Sequence, residues 1–293
     1  MKSGFTYKNR HSSEFGIVAK TVARPVLPEM KSYTMEAPLA DGIYDFSEAN
    51  EYSRPFYNNK FFEISLQISA DSLLALELKV SKIASWLCGS GELMFDDMPF
   101  VKWRARVISE LGFVPELHGK KAVMMVNFRV EPFSACVFNT ADGPLIDCNL
   151  CLDSNIPLSL HDCLTWTFDG SDSAYTNVSK TLMIVNMGNV YTSPVMRING
   201  DAKNIIIAGG GKKLKINTQG SGFVLDFKNQ TVSDINGNNV MQYVTGGFFE
   251  LLPMNTELDV TMEAKGTVKL SVEYEPEFIY AYSDDTDWSE SNA

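Results

Sequence analysis

Residues 61–107 read FFEISLQISADSLLALELKVSKIASWLCGSGELMFDDMPFVKWRARV. In the first eight, Phe62, Ile64, Leu66 and Ile68 alternate with Glu63, Ser65 and Gln67, the period of two of a half-buried strand. The period then changes: Leu73, Leu76, Val80, Ile83 and Leu87 recur at spacings of three and four, which lines them along one side of an α-helix. Ser69 and Asp71 offer oxygens to the free amides of its first turn, and Gly89 suits the left-handed conformation that ends a helix. The helix is expected over about Asp71 to Cys88. Glu92 to Phe95 and Val101 to Ile108 then flank Asp96-Asp97-Met98-Pro99, residues with the chemistry of a turn, so a hairpin follows.

Working outward, Val123 to Val130 reads as a further strand, in which Val126, Phe128 and Val130 alternate with Asn127 and Arg129. Glu131-Pro132-Phe133 is a natural break, since proline cannot continue a central strand. A chain of 293 residues fits two domains better than one. The boundary is expected between about 131 and 142, giving residues 1–135 and 136–293.

Beyond the break come short apolar runs: Leu182 to Met187, Val195 to Ile198, Ile205 to Ala208, Leu214 to Ile216, Phe223 to Phe227, Phe248 to Leu252, Leu258 to Met262 and Val268 to Tyr274. Turns such as Asn199-Gly200-Asp201 and Asn236-Gly237-Asn238 punctuate them, which describes an antiparallel β-sandwich. The fold class expected is mainly β, with a single helix in the first half. The acidic tail from Ser283 to Ala293 is expected to be mobile unless Trp288 docks.

The net charge of −11 is unevenly spread. Up to Asn139, 16 Lys and Arg balance 16 Asp and Glu, whereas 9 oppose 20 beyond it. Neither half attracts phosphate backbones in general, so stable nucleic-acid binding is not expected. There is no apolar run long enough to cross a membrane and no secretory signal at the start, which points to synthesis in a cytoplasm. Cys88, Cys136, Cys148, Cys151 and Cys163 are odd in number and mostly sit in apolar surroundings, as packed, reduced thiols do.

Candidate chemistry is sparse. His11, His118 and His161 fall in no recognisable arrangement of nucleophile, base and orienter, so catalysis is not expected, nor is a cofactor. Gly209-Gly210-Gly211-Lys212-Lys213 lacks the Ser or Thr of a phosphate-binding loop and reads as a hairpin. Cys148-Asn149-Leu150-Cys151 with His161 and Cys163 could complete a zinc shell, but the flanking leucines favour buried thiols and no metal is expected. Asp96 and Asp97 read as a solvated turn. Lys102, Arg104 and Arg106 share a strand face opposite Trp103, Ala105 and Val107: a solvated face, or one that meets an acidic neighbour.

With these residues in view, the chain resembles the distal tail protein family of siphophages, the long, flexible-tailed bacteriophages. The likeness rests on Phe5 to Ile17, Pro25 and Pro28, the Asp41-Gly42 turn, and the strand, helix and Gly91-Glu92-Leu93-x-Phe95-Asp96-Asp97-x-Pro99 hairpin. In the second half it rests on Asn186-x-Gly188, Pro194, Ile198-x-Gly200, Leu225-Asp226-Phe227 and Asp234-x-Asn236-Gly237. Pro253-Met254-Asn255 departs from the family pattern, which has glycine at the middle position.

The resemblance implies a structural protein of the virion tail tip, assembled in the host cytoplasm. Its first domain would close into a homo-hexameric ring between the major tail tube protein and the tail-associated hub protein, leaving a hole for DNA. A galectin-like second domain would hold a receptor-binding protein. A ring needs apolar anchors on two different faces. Leu93, Phe95, Met98, Phe100 and Trp103 around the hairpin are the candidates, with ordinary intradomain core as the competing reading. A carbohydrate-binding module is the alternative function, with Trp166, Tyr175, Tyr191 and Tyr243 as stacking platforms.

Overall fold

The computed structural model describes residues 4–36, 38, 41–49, 53–116, 120–142 and 164–280. These divide into two compact units, Met1–Ser134 with Ile279–Ala281 in one and Ala135–Phe278 in the other.

In the first unit, β1 (Phe5–Tyr7) and β2 (Arg10–His11) lead through a 3-10 turn, Ser12–Phe15, to β3 (Ile17–Ala23). A small ladder of β4 (Thr34–Met35) and β5 (Tyr44–Asp45) comes next, followed by β6 (Lys60–Ser69) and α1 (Leu73–Leu87). The hairpin of β7 (Ser90–Phe95) and β8 (Met98–Val107), then β9 (Phe113–Glu116) and β10 (Lys121–Val130), complete it. The main sheet runs β2-β1-β7-β8-β10-β6-β3, and β9 lies on the amino-terminal end of β10. Neighbours along this order are all antiparallel.

The expected strand, helix and hairpin are all present, with two adjustments. Ser72, not Ser69 or Asp71, caps the helix, its hydroxyl accepting from Ala75 N at 3.3 Å. Leu76, Val80, Ile83 and Leu87 are buried, but Leu73 at the first turn is exposed. Gly89 follows the helix with φ of 90°, a conformation that costs glycine little. Trp86 ties the helix to the sheet, stacking on Phe5 at 5.4 Å and donating from Nε1 to Tyr7 O at 2.9 Å. Further along the same face, Phe62, Phe95 and Trp103 form an aromatic cluster with centroids 5.4 to 5.9 Å apart.

In the second unit, β11 (Ser134–Cys136) pairs with β19 (Glu277–Phe278), and between them run β12 (Thr165–Asp169), β13 (Thr176–Asn186), β14 (Val195–Gly209), β15 (Lys212–Asp226), β16 (Thr231–Asp234), β17 (Val244–Gly246) and β18 (Met254–Glu273). Three runs read as pairs of short strands are single long ones: β14 and β15 have 15 residues each, β18 has 20. Asn199-Gly200-Asp201 is therefore not a turn between strands but a bulge within β14, with Gly200 at φ 125°. Gly220 and Gly222 sit near it on β15, and Gly266 on β18.

The bulges divide the sheet into two runs of neighbours. One is β13 with the first half of β18, the second half of β14, the first half of β15, and β17. The other is β12 with the second half of β18, the first half of β14, the second half of β15, and β16. Along β18, Leu258, Val260, Met262, Ala264, Val268, Leu270 and Val272 all point inward, so one face stays apolar across the bend. The expected hairpin at Gly210-Gly211 is present, both residues having positive φ, as a tight two-residue turn requires.

Candidate interaction faces

The five anchors expected around the hairpin do not form a surface. Leu93, Phe95, Met98 and Trp103 are buried in the first unit's own core, while Phe100 is half-buried. The physical reason is the alternation of β7 and β8, which turns these side chains inward, where Phe95 and Trp103 meet Phe62. Side chains already covered within one chain have no apolar area left to give a neighbour.

Asp96 and Asp97 are the two residues of the hairpin turn, but neither is merely solvated. Asp96 meets His11 Nε2 at 3.0 Å. Asp97 receives both terminal nitrogens of Arg24, at 3.0 and 2.7 Å, and this guanidinium holds its carboxyl below the usual carboxylate range. Arg24 also lies over Phe95 at 4.6 Å and donates from Nε to Tyr280 OH at 2.8 Å. Tyr280 belongs to the returning segment, which Lys60 Nζ holds through Ile279 O at 2.7 Å and Ser134 Oγ through Tyr280 O at 2.8 Å. Lys60 is almost fully buried and also donates to Val26 O at 3.2 Å; burial pushes its ammonium down to about 8. Arg24, Lys60 and Tyr280 thus gather beside Phe95 and Trp103 of the core.

Lys102, Arg104 and Arg106 lie on the outer face of β8 as expected, with Lys102 Nζ 3.1 Å from Glu92. A shallow groove of about 500 Å³ there is lined by Arg104, Arg106 and Arg129 with Glu92 and Glu131, cations interleaved with carboxylates.

Uncovered apolar area lies elsewhere, between β3 and β6. Between β3 and β6 the described residues of 24–60 form a two-lane arm, joined by Lys31 N to Phe56 O, Asn58 N to Glu29 O, Phe46 N to Tyr33 O, and the β4–β5 ladder. Leu27, Tyr33, Met35, Ile43, Tyr44 and Phe46 on this arm are all exposed. That density of uncovered apolar side chains makes the arm a candidate contact face, since monomers seldom expose large apolar patches. Sequence reading passed over it because Pro25, Pro28, Pro38 and Pro55 break both periodicities; the available signal was apolar residues among prolines and acids, without a period to bury them.

A second face flanks the helix. Leu74 and Leu78 are exposed, and the same stripe continues at i+4 and i+3 to Lys82 and Ser85. Those two residues line a groove of about 790 Å³ with Lys8, Arg10, Lys79 and Glu14, its floor made of Phe15 stacked on Trp86 at 4.4 Å.

Other candidates are not assembled. Cys148, Cys151, His161 and Cys163, like His118 and the acidic tail, lie outside the described residues. Among the described residues no three His, Cys, Asp or Glu converge as a metal site. The proposed sugar platforms are dispersed: Trp166 is on β12, Tyr175 precedes β13, Tyr191 lies between β13 and β14, and Tyr243 precedes β17. β13 and β17 are opposite edges of one run of strands, so Tyr175 and Tyr243 do not share a platform.

No family model and no curated protein matches this chain. Among solved structures, the crystal structure of the Dit protein of phage SPP1, described as a paradigm of the hub adsorption apparatus in phages infecting Gram-positive bacteria, aligns with TM-score 0.59 and 13% identity, covering 94% of this chain and 99% of that one. A chain of the phage P2 baseplate in its activated conformation with calcium aligns at TM-score 0.38 and 7% identity, over 95% and 99%. The mainly antiparallel β architecture with one α-helix among the described residues is therefore a fold shared with SPP1 Dit across almost the whole of both chains.

Proposed function

We propose that this chain is a structural hub of a bacteriophage tail tip. Six copies join through their first units into a ring between tail tube and adhesion device, and the second, galectin-like unit holds adhesion proteins such as a receptor-binding protein. The observation that carries this reading is the end-to-end fold likeness to SPP1 Dit. The arm at residues 24–60 supports it, because a ring-former must keep apolar area uncovered until it meets its neighbour. The balanced charge of the first half supports a passage that lets DNA through without holding it.

Light scattering on the full chain tests the reading, alone and with its neighbouring tail proteins. The expected mass is about six chains, and ring-shaped particles should appear in electron micrographs. A chain that stays monomeric throughout and is missing from purified virions would overturn it.

A further inference from the structure

The two exposed faces of the first unit are opposite in charge. From Pro25 to Asn59 the arm carries Glu29, Glu36, Asp41, Asp45, Glu48 and Glu51 against Lys31 and Arg54. Two of these acids bond to neutral groups, Glu29 accepting from Asn58 and Asp45 from Ser47. The groove beside the helix carries Lys8, Arg10, Lys79 and Lys82 against Glu14 alone. Here too the bonds satisfy donors without cancelling charge, since Lys79 Nζ donates to Gly16 O at 2.9 Å and Ser69 O at 3.0 Å, and Lys8 Nζ to Cys88 O. Only Arg10 is neutralised, by Glu14 at 3.0 Å. Each face also has apolar area, the arm through residues such as Ile43 and Tyr44, the helix through Leu74 and Leu78.

We propose that the arm of one copy docks on the helix groove of the next copy. An acidic, apolar ribbon meets a basic cleft with an aromatic floor and a leucine rim. Two different, complementary patches on one unit make a head-to-tail contact, the kind that closes into a ring when each step turns by a fixed angle. Charge complementarity sets register and encounter rate, and the apolar side chains supply the hold. The proposal rests on the ring reading and names the surfaces that would make it.

The test uses two variants of the full chain, each changed only at exposed positions: Leu78→Ser with Lys82→Ser in the groove, and Ile43→Lys with Tyr44→Lys on the arm. Each alone should lose assembly, with light scattering falling to the mass of one chain. Mixed, they should form a particle of two chains and no more, because the intact arm of the first fits the intact groove of the second and no further contact is left. That dimer also requires both variants to be folded. If wild type forms rings and the groove variant still forms them, or the mixture does not pair while both variants keep the wild-type melting temperature, this contact is wrong and the ring reading stands. If wild type itself never assembles with or without its neighbours, the ring reading fails first. A groove that still takes up polyphosphate in the assembled ring would also overturn the proposal, since the arm should cover it.

Discussion

Arg24 and Asp97 form a two-point clamp: both guanidinium ends reach both carboxylate oxygens, at 3.0 and 2.7 Å, across 73 residues of sequence. Bidentate geometry is the strong form of this ion pair, and Arg24 is mostly covered by Phe95 and Tyr280. Replacing Arg24 with Ala removes the clamp, the ring contacts and the hold on Tyr280. We expect a loss of about 2 kcal/mol, read as a melting temperature lower by roughly 4 to 8 °C. An unchanged melting temperature would mean that the clamp contributes nothing. Because the carboxyl of Asp97 is held low, its share of stability is present above the ordinary carboxylate range and is lost as pH falls through the lowered value.

Lys60 gives the same sign of pH dependence for a different reason, since burial penalises its charge whereas the guanidinium favours that of Asp97. Its folded value of about 8 lies below that of the unfolded chain, so between about 8 and about 10.4 the unfolded state binds more protons and stability rises with pH. Urea midpoints of wild type measured at pH 7 and pH 10 should therefore rise relative to those of Lys60→Met. A difference between the two proteins that does not change with pH would contradict this.

Tyr274 is buried in the second unit, its hydroxyl donating to Val185 O at 2.6 Å and accepting from Met187 N at 3.3 Å. Burial raises its phenol above the ordinary value, which keeps it a neutral donor at any working pH. Tyr274→Phe leaves two buried backbone groups short of a partner and should cost about 1 to 3 kcal/mol in chemical denaturation. Loss of less than half a kcal/mol would show that water or a rearrangement replaces the hydroxyl.

Met254 has φ of 69° and an exposed side chain, at the position where the family resemblance has glycine. A non-glycine residue in this region is strained by about 1 to 2 kcal/mol, partly offset by the entropy glycine loses on folding. Met254→Gly should stabilise the protein by about 0.5 to 1 kcal/mol; a lower melting temperature would locate a packing role for the methionine.

Local order was legible in the sequence where one face is buried and the period is kept. Strand β6, helix α1 and the β7–β8 hairpin stand within a few residues of their expected places because Ile64, Leu66, Leu76 and Ile83 repeat at the spacing that burial demands. Two things were not legible. The same alternation that marks a strand cannot say whether its apolar side chains meet their own helix or another chain, so Leu93 and Trp103 were plausible as anchors and are core. Nor does a glycine between two apolar runs reveal whether the strand stops or bends: Asn199-Gly200-Asp201 has the residues of a turn, yet pairing on both sides with β15 and β18 carries β14 straight through it. The arm was missed for want of any period at all.

The return of Ile279 and Tyr280 to the first unit bears on the order in which the protein is made. A ribosome releases the amino-terminal sheet long before it has translated the residues that Lys60, Arg24 and Ser134 wait to grip. Nascent chains therefore lack that part of the finished core until residues 279 and 280 have been made. Truncated products, ending anywhere before Ile279, should carry a loosened amino-terminal unit and be cut faster by proteases than the full chain.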